Sequence, residues 1–212
     1  MIAILAFGSL LDSPDAELED ATLDKRGVQT PFCVEYARFS AKRRGAPTLV
    51  PVEAGGGKVQ ASLLVLREDI SLKEAKSMLW RRETKQVGSG NCYAKPVTPT
   101  KNTVLIKALE GFDGIDHVLF VDFPPQGKCE TLSAVELADA AITSAFGPAD
   151  GRDGISYLLS AVRSGIVTPL TADYQWAILE KTKTATLEEA RDVSRAGHKT
   201  AEPTVMPSSG EL

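Results

Sequence analysis

Ile2 to Phe7 is an unbroken apolar run, which predicts a strand buried on both faces. Gly8-Ser9 ends it as a turn. Asp12 to Asp24 is polar and acidic and opens on the loop signal Asp12-Ser13-Pro14. Strand patterns follow at Phe32 to Phe39, Thr48 to Val52 and Val59 to Leu66. The basic stretch Lys42-Arg43-Arg44-Gly45 predicts a turn between the first two of these. Gly55-Gly56-Gly57 predicts a flexible hairpin connection between the second and third.

Helical periodicity first appears at Ser71 to Glu83. Ser71 and Glu74 have the spacing of a capping box, and Leu72, Ala75 and Leu79 share one face. Three further strands are predicted at Cys92 to Val97, Thr103 to Leu109 and His117 to Phe123. After Pro124-Pro125 the pattern turns helical. Ser133 and Glu136 open a helix that runs to Phe146, where Gly147-Pro148 stops it. Further helices are predicted over Gly154 to Ser164 and from Thr171 onward. Residues 195–212 carry Gly, Pro and Ser with few large apolar side chains, which predicts a disordered tail. The expectation is therefore one domain over residues 1–194. Its class is α+β: a mixed, curled, small barrel-like sheet with helices packed around it.

Composition narrows the function. The chain has 212 residues with 43% hydrophobic and 25% charged, enough to bury a full core. Its 24 Lys+Arg against 28 Asp+Glu give a net charge of −4, so no basic excess points to nucleic acid or an anionic membrane. Cys33, Cys92 and Cys129 are scattered, with no C-x-x-C, which disfavours a zinc ribbon or a thioredoxin-like centre. Such thiols fit a reducing cytosol. The N-terminal apolar run is too short to span a bilayer and lacks the basic flank of a signal peptide. A cytoplasmic protein is expected. With two histidines, one in the polar tail, a multi-histidine metal site is not expected. Gly55-Gly56-Gly57-Lys58 lacks the Ser/Thr and the helix that a phosphate loop needs.

Two features carry candidate chemistry. Phe7-Gly8-Ser9-Leu10 follows a buried strand. It is either a plain turn or a loop whose N–H groups hold a carboxylate or an oxyanion. Glu83 lies four residues after Leu79 and continues the apolar face of its helix. It is either a surface partner of Arg81 or Arg82, or an inward-facing carboxylate. In the second case burial and the negative helix end both oppose its charge, as a base working near neutral pH requires. Tyr93, after Gly88-Ser89-Gly90, is a candidate for shaping a pocket beside it. Cys92 is a weaker candidate nucleophile, because no histidine is placed to activate it.

The order of these pieces resembles the ChaC-type γ-glutamylcyclotransferase family. The resemblance rests on Ala6-Phe7-Gly8-Ser9-Leu10, Tyr36-Ala37-Arg38-Phe39, Thr48-Leu49-Val50, Leu79-Trp80-Arg81-Arg82-Glu83, Tyr93 and Val97. Phe146-Gly147-Pro148 and Tyr157-Leu158-Leu159 extend it, so that it runs through residues 2–180. It implies that a γ-glutamyl peptide or amine, glutathione among the candidates, binds against Phe7, Gly8, Ser9, Leu10 and Tyr93. The substrate's α-amine then attacks its own γ-carbonyl, giving 5-oxoproline and a free amine. Glu83 corresponds to the family's catalytic glutamate, and no metal or cofactor is implied. The chain departs from the pattern in Phe7, where the family has tyrosine, in Ala61, where it has glycine, and in the expanded loop Gly88 to Tyr93. Those departures motivate the alternative of a non-catalytic member that binds a small acidic or amide ligand. A third reading is an interaction domain using Asp12 to Asp24 or the tail. Oligomeric state is open.

Overall fold

The computed structural model describes residues 1–124 and 132–199. Cys129 and residues 200–212 of the expected tail lie outside them. The class is α+β. Strands β1 (Ile2–Ala6), β2 (Thr22–Gln29), β5 (Gln60–Leu66), β6 (Leu105–Phe112) and β7 (Ile115–Asp122) form one mixed sheet in the order β2-β5-β1-β7-β6. β1 pairs antiparallel with β5 and parallel with β7, and its central place explains its continuous apolar sequence. Strands β3 (Cys33–Ser40) and β4 (Ala46–Val52) pair only with each other, as a separate two-stranded sheet.

The barrel-like closure expected from the sequence is absent among the described residues: the five-stranded sheet is open, with β2 and β6 at its edges. The glycine run also does not close a hairpin. It carries the chain from β4 in the small sheet to β5 in the large one, crossing β3 at a bridge between Val34 and Gly57. Close approach there explains the glycine at 56. Its φ is 67°, and a Cβ would fall 2.7 Å from the Val34 carbonyl oxygen.

Helices α1 (Ser9–Asp12) and α2 (Ala16–Ala21) occupy part of the segment expected to be loop, and β2 takes the rest. Both helices are too short for a periodic signal. Helix α3 (Leu72–Thr84) lays Ala75, Met78 and Leu79 on Ile4, Ala6, Leu64 and Leu119 of the sheet. Ser71 caps it by accepting from the Glu74 N–H, but the Glu74 carboxylate goes to Arg81, so the capping box is not reciprocal. The box at Ser133 and Glu136 is complete and opens α4 (Ala134–Ser144). Helices α4, α5 (Gly154–Arg163), α6 (Thr171–Thr182) and α7 (Leu187–Lys199) bury Leu137, Ile155, Leu158, Tyr174 and Ile178 with Val34 and Tyr36 of β3.

Helix α7 continues beyond the expected boundary at 194. Arg195 donates to the fully buried Asp153 at 2.8 Å, an anchor that local composition does not report. The strand expected over Cys92 to Val97 does not form; no strand or helix spans residues 85–104. No helix among the described residues is long and apolar enough to cross a membrane.

The glycine run gives a direct test. At Gly55, with φ 69°, an added Cβ would meet nothing within 4 Å, whereas at Gly56 it would meet backbone. Gly55→Ala is expected to cost about 1–2 kcal/mol for the left-handed backbone alone. Gly56→Ala is expected to cost at least about 1 kcal/mol more, read from denaturant midpoints.

Candidate active site

Glu83 continues the buried face of α3 past the last sheet contact, so it arrives where β1 ends. The helix stops there in a Schellman turn: Gln86 N–H donates to the Arg81 carbonyl and Lys85 N–H to the Arg82 carbonyl, with Lys85 left-handed at φ 60°. Facing it, β1 runs into Phe7 and Gly8, and Gly8 (φ 58°) starts α1. A side chain at Gly8 would meet the Tyr157 hydroxyl at 2.7 Å, so glycine lets the loop lie against α5. Ser164 Oγ also donates to Asp12, fastening the far end of α1.

Phe7, Ser9, Leu10 and Glu83 line one cavity of about 820 Å³. The strand-ending turn is thus also part of a cavity wall. Glu83 pairs with Arg82, as the first of its two readings has it, and it also lines the cavity. Its carboxylate accepts from Arg82 Nη1, yet the residue faces the cavity with its side chain 19% exposed. Arg81 points elsewhere. It is buried, binds Glu17 at 2.9 Å and Glu74 at 2.6 Å, and donates to the Asn91 carbonyl at 2.8 Å.

Arg82 is the connector. Its Nη2 donates to the Ser9 carbonyl at 2.8 Å and the Ser13 carbonyl at 2.9 Å, while Nη1 serves Glu83. One guanidinium thereby sets the loop after β1 against the last turn of α3. Lys42 adds a second link, donating to the Glu83 backbone carbonyl at 2.8 Å.

Tyr93 does not line the cavity. Its ring packs in the core under α3, its N–H donates to Ser77 Oγ at 3.1 Å, and its hydroxyl accepts from the Ile106 N–H at 3.2 Å. Its role is to hold the 85–104 segment onto the sheet. Cys92 is exposed and also absent from the cavity wall, and His117 lies opposite Glu110 on the β6–β7 ladder, its Nδ1 2.7 Å from the Glu110 carboxylate. Among the described residues no three His, Cys, Asp or Glu side chains gather in a metal-binding group.

Several lining residues are not evident from sequence. Tyr157 is buried; its hydroxyl accepts from the Leu49 N–H at 3.3 Å, and burial pushes its pKa up against the opposing pull of Arg43. Asp15 caps α2, accepting from the Leu18 N–H at 3.0 Å, while its Oδ2 is buried without a hydrogen-bond partner. Burial pushes the Asp15 carboxyl up from its ordinary value, against the Leu18 hydrogen bond and Arg82. Arg38 of β3 follows a bulge between Tyr36 and Arg38, a device that re-aims side chains. The basic turn of the sequence (Lys42 and Arg43 here) forms another wall, with Arg43 over the Tyr157 ring at 4.8 Å.

No protein-family model matches the chain, and no curated protein matches it.

Two variants test these assignments. Arg82→Gln is expected to cost about 2–4 kcal/mol in denaturant unfolding, because it removes charged hydrogen bonds to two loop carbonyls and leaves Glu83 without its cation. Asp15→Asn keeps an N-cap acceptor but removes the titrating carboxyl. A raised folded-state pKa means that the folded state holds the proton more tightly than the unfolded state. The wild type should therefore lose stability relative to Asp15→Asn as pH rises through the unfolded and then the folded Asp15 value, with no further loss above that. Unfolding midpoints of both proteins across the acid range measure it.

Proposed function

We propose that the chain is a γ-glutamylcyclotransferase-like enzyme, with a γ-glutamylcyclotransferase-like fold and Glu83 as its general acid and base. The observation that carries this reading is the shared cavity: Glu83 and Phe7, Ser9 and Leu10 of the glycine loop line the same space. The substrate class is a γ-glutamyl peptide or amine, glutathione included.

In this mechanism the glutamyl end lies against the loop of residues 8–10. The substrate's α-amine arrives as an ammonium and cannot attack until it loses a proton. The Glu83 carboxylate accepts that proton. The nitrogen lone pair adds to the γ-carbonyl carbon and closes a five-membered ring, with both groups already held in one molecule. Loop N–H groups stabilise the oxyanion that develops. Collapse breaks the bond to the leaving nitrogen, which takes the proton from Glu83; the ring nitrogen sheds its second proton to the departing amine, so 5-oxoproline leaves as the lactam, the amine leaves as an ammonium, and Glu83 is again ionised. Acid–base help of this kind is typically worth about 10²–10⁴-fold. The Arg82 contact fits the cycle, since it steadies the carboxylate in one position while the other lone pairs remain for the substrate.

The same contact favours a second reading, a non-catalytic binder of a small acidic or amide ligand. An ion pair on Glu83 occupies acceptor capacity that a base would use.

Incubation with glutathione, γ-glutamyl dipeptides and γ-glutamyl amines, with chromatographic detection of 5-oxoproline, separates the two. Wild-type protein is expected to release 5-oxoproline from at least one. Glu83→Gln, which keeps size and polarity but cannot take the proton, is expected to lower kcat by about 10²–10⁴-fold. Undiminished release by the variant would overturn the role of Glu83. Ligand-induced stabilisation with no release from any substrate would establish the binder instead.

A further inference from the structure

The charge of the cavity is opposite to that of the protein. The chain carries a net −4, yet six cations (Arg38, Lys42, Arg43, Arg82, Lys85 and Arg152) line the cavity against only two carboxylates, Asp15 and Glu83. Both carboxylates already have duties: one Asp15 oxygen caps α2, and Glu83 accepts from Arg82. A surplus of like charge at close range costs stability in the empty protein unless a ligand neutralises it.

Arg38 is where the surplus is deepest. The residue is 8% exposed, and it forms no ion pair among the described residues. One Nη donates to the Asn102 side-chain oxygen at 3.3 Å, the guanidinium lies 4.0 Å from the Phe123 ring centre, and Nε is buried with no hydrogen-bond partner. An aromatic face and an amide oxygen orient a guanidinium, but they do not neutralise it. Burial opposes its charge and attraction to Glu83 favours it. Lys42 stands beside it. Burial pushes Lys42 below its ordinary value, Glu83 pulls it back up, and repulsion from Lys85 and Arg38 lowers it further.

We infer that Arg38 and Lys42 form a second anion subsite, which takes a carboxylate on the amine half of the γ-glutamyl substrate. This rests on the proposed cyclotransferase reading and deepens it. The loop of residues 8–10 takes the glutamyl end, Glu83 lies at the bond to be cut, and the leaving half extends toward β3 and the basic turn. A planar guanidinium offers paired donors to a carboxylate, and an ammonium nearby adds charge without demanding geometry. The preferred substrates are thus γ-glutamyl amino acids and peptides, whose leaving half ends in a carboxylate. Simple γ-glutamyl amines, which lack it, leave the Arg38 charge unanswered.

The test compares γ-glutamylalanine with γ-glutamylethylamide, which differ by that one carboxylate, by calorimetric titration of the full chain bearing Glu83→Gln. The dipeptide is expected to bind at least about tenfold more tightly. Adding Arg38→Met should shrink the gap to within about twofold while leaving the affinity for the ethylamide unchanged. Lys42→Gln, at an exposed position, should narrow the gap severalfold and decides the matter if Arg38→Met fails to fold. Equal affinities for the two ligands, no binding of either, or a gap that survives the variants would overturn the subsite. So would an equal loss for both ligands in Arg38→Met, because Arg38 would then hold the glutamyl end. Turnover by the wild type is read separately. Release of 5-oxoproline without an affinity gap sinks the subsite and leaves the cyclotransferase reading. A gap without any 5-oxoproline sinks the cyclotransferase reading and leaves a carboxylate-binding site.

Discussion

The hydrogen bonds from Arg82 to the Ser9 and Ser13 carbonyls are the constraint on which the site depends. The end of α3 and the loop after β1 come from distant parts of the chain, and these bonds join them directly. A guanidinium with five fixed donors can hold two carbonyls and a carboxylate at once. Lysine, with a single ammonium on a flexible stem, could not impose the same geometry. The Schellman turn matters for the same reason, since it ends α3 at a defined residue and leaves Glu83 in its last turn at the cavity wall.

Around that connector the described residues pack into three apolar clusters, one on each face of the open sheet and one around the β3–β4 hairpin. The open sheet packs α3 on one face, and the β3–β4 hairpin is covered by the C-terminal helices. The glycine run at 55–57 links the two sheets. β1 ends between them, with Phe7 touching Phe32 edge-on at 5.9 Å. An opening at the meeting of two packed units is where polar backbone and charged side chains can face inward without filling the core. The concentration of cations there, in an acidic protein, is a property of this opening rather than of the surface at large.

How much of this is legible in sequence varies with the range of the physics involved. β1, β3 to β7 and helices α3 to α6 announce themselves, because their periodicity and caps are local. Helices α1 and α2 are too short to show a period, and β2 carries so many charged residues that its pattern imitates a loop. Residues 92–97 look like a strand, but Tyr93 is instead spent on a hydrogen bond to β6. Glu83 is legible because its position four residues after Leu79 is a helical argument. Asp15 is not; Arg38 and Tyr157 stand in motifs that carry the resemblance, but nothing in their neighbouring residues says that separate elements bring all three to one wall.

By itself, the sequence determined the α+β class, the approximate extents of α3 to α5 and of the apolar strands, and the two candidates at Gly8-Ser9 and Glu83, because strand alternation, helix period and capping act over a few residues. Only the tertiary structure decided that β4 and β5 belong to different sheets, that α7 extends past residue 194, that Tyr93 faces away from the cavity, and that six cations converge on it. Each of those depends on contacts between residues far apart in the chain, and the free energies of such contacts are written in no local pattern.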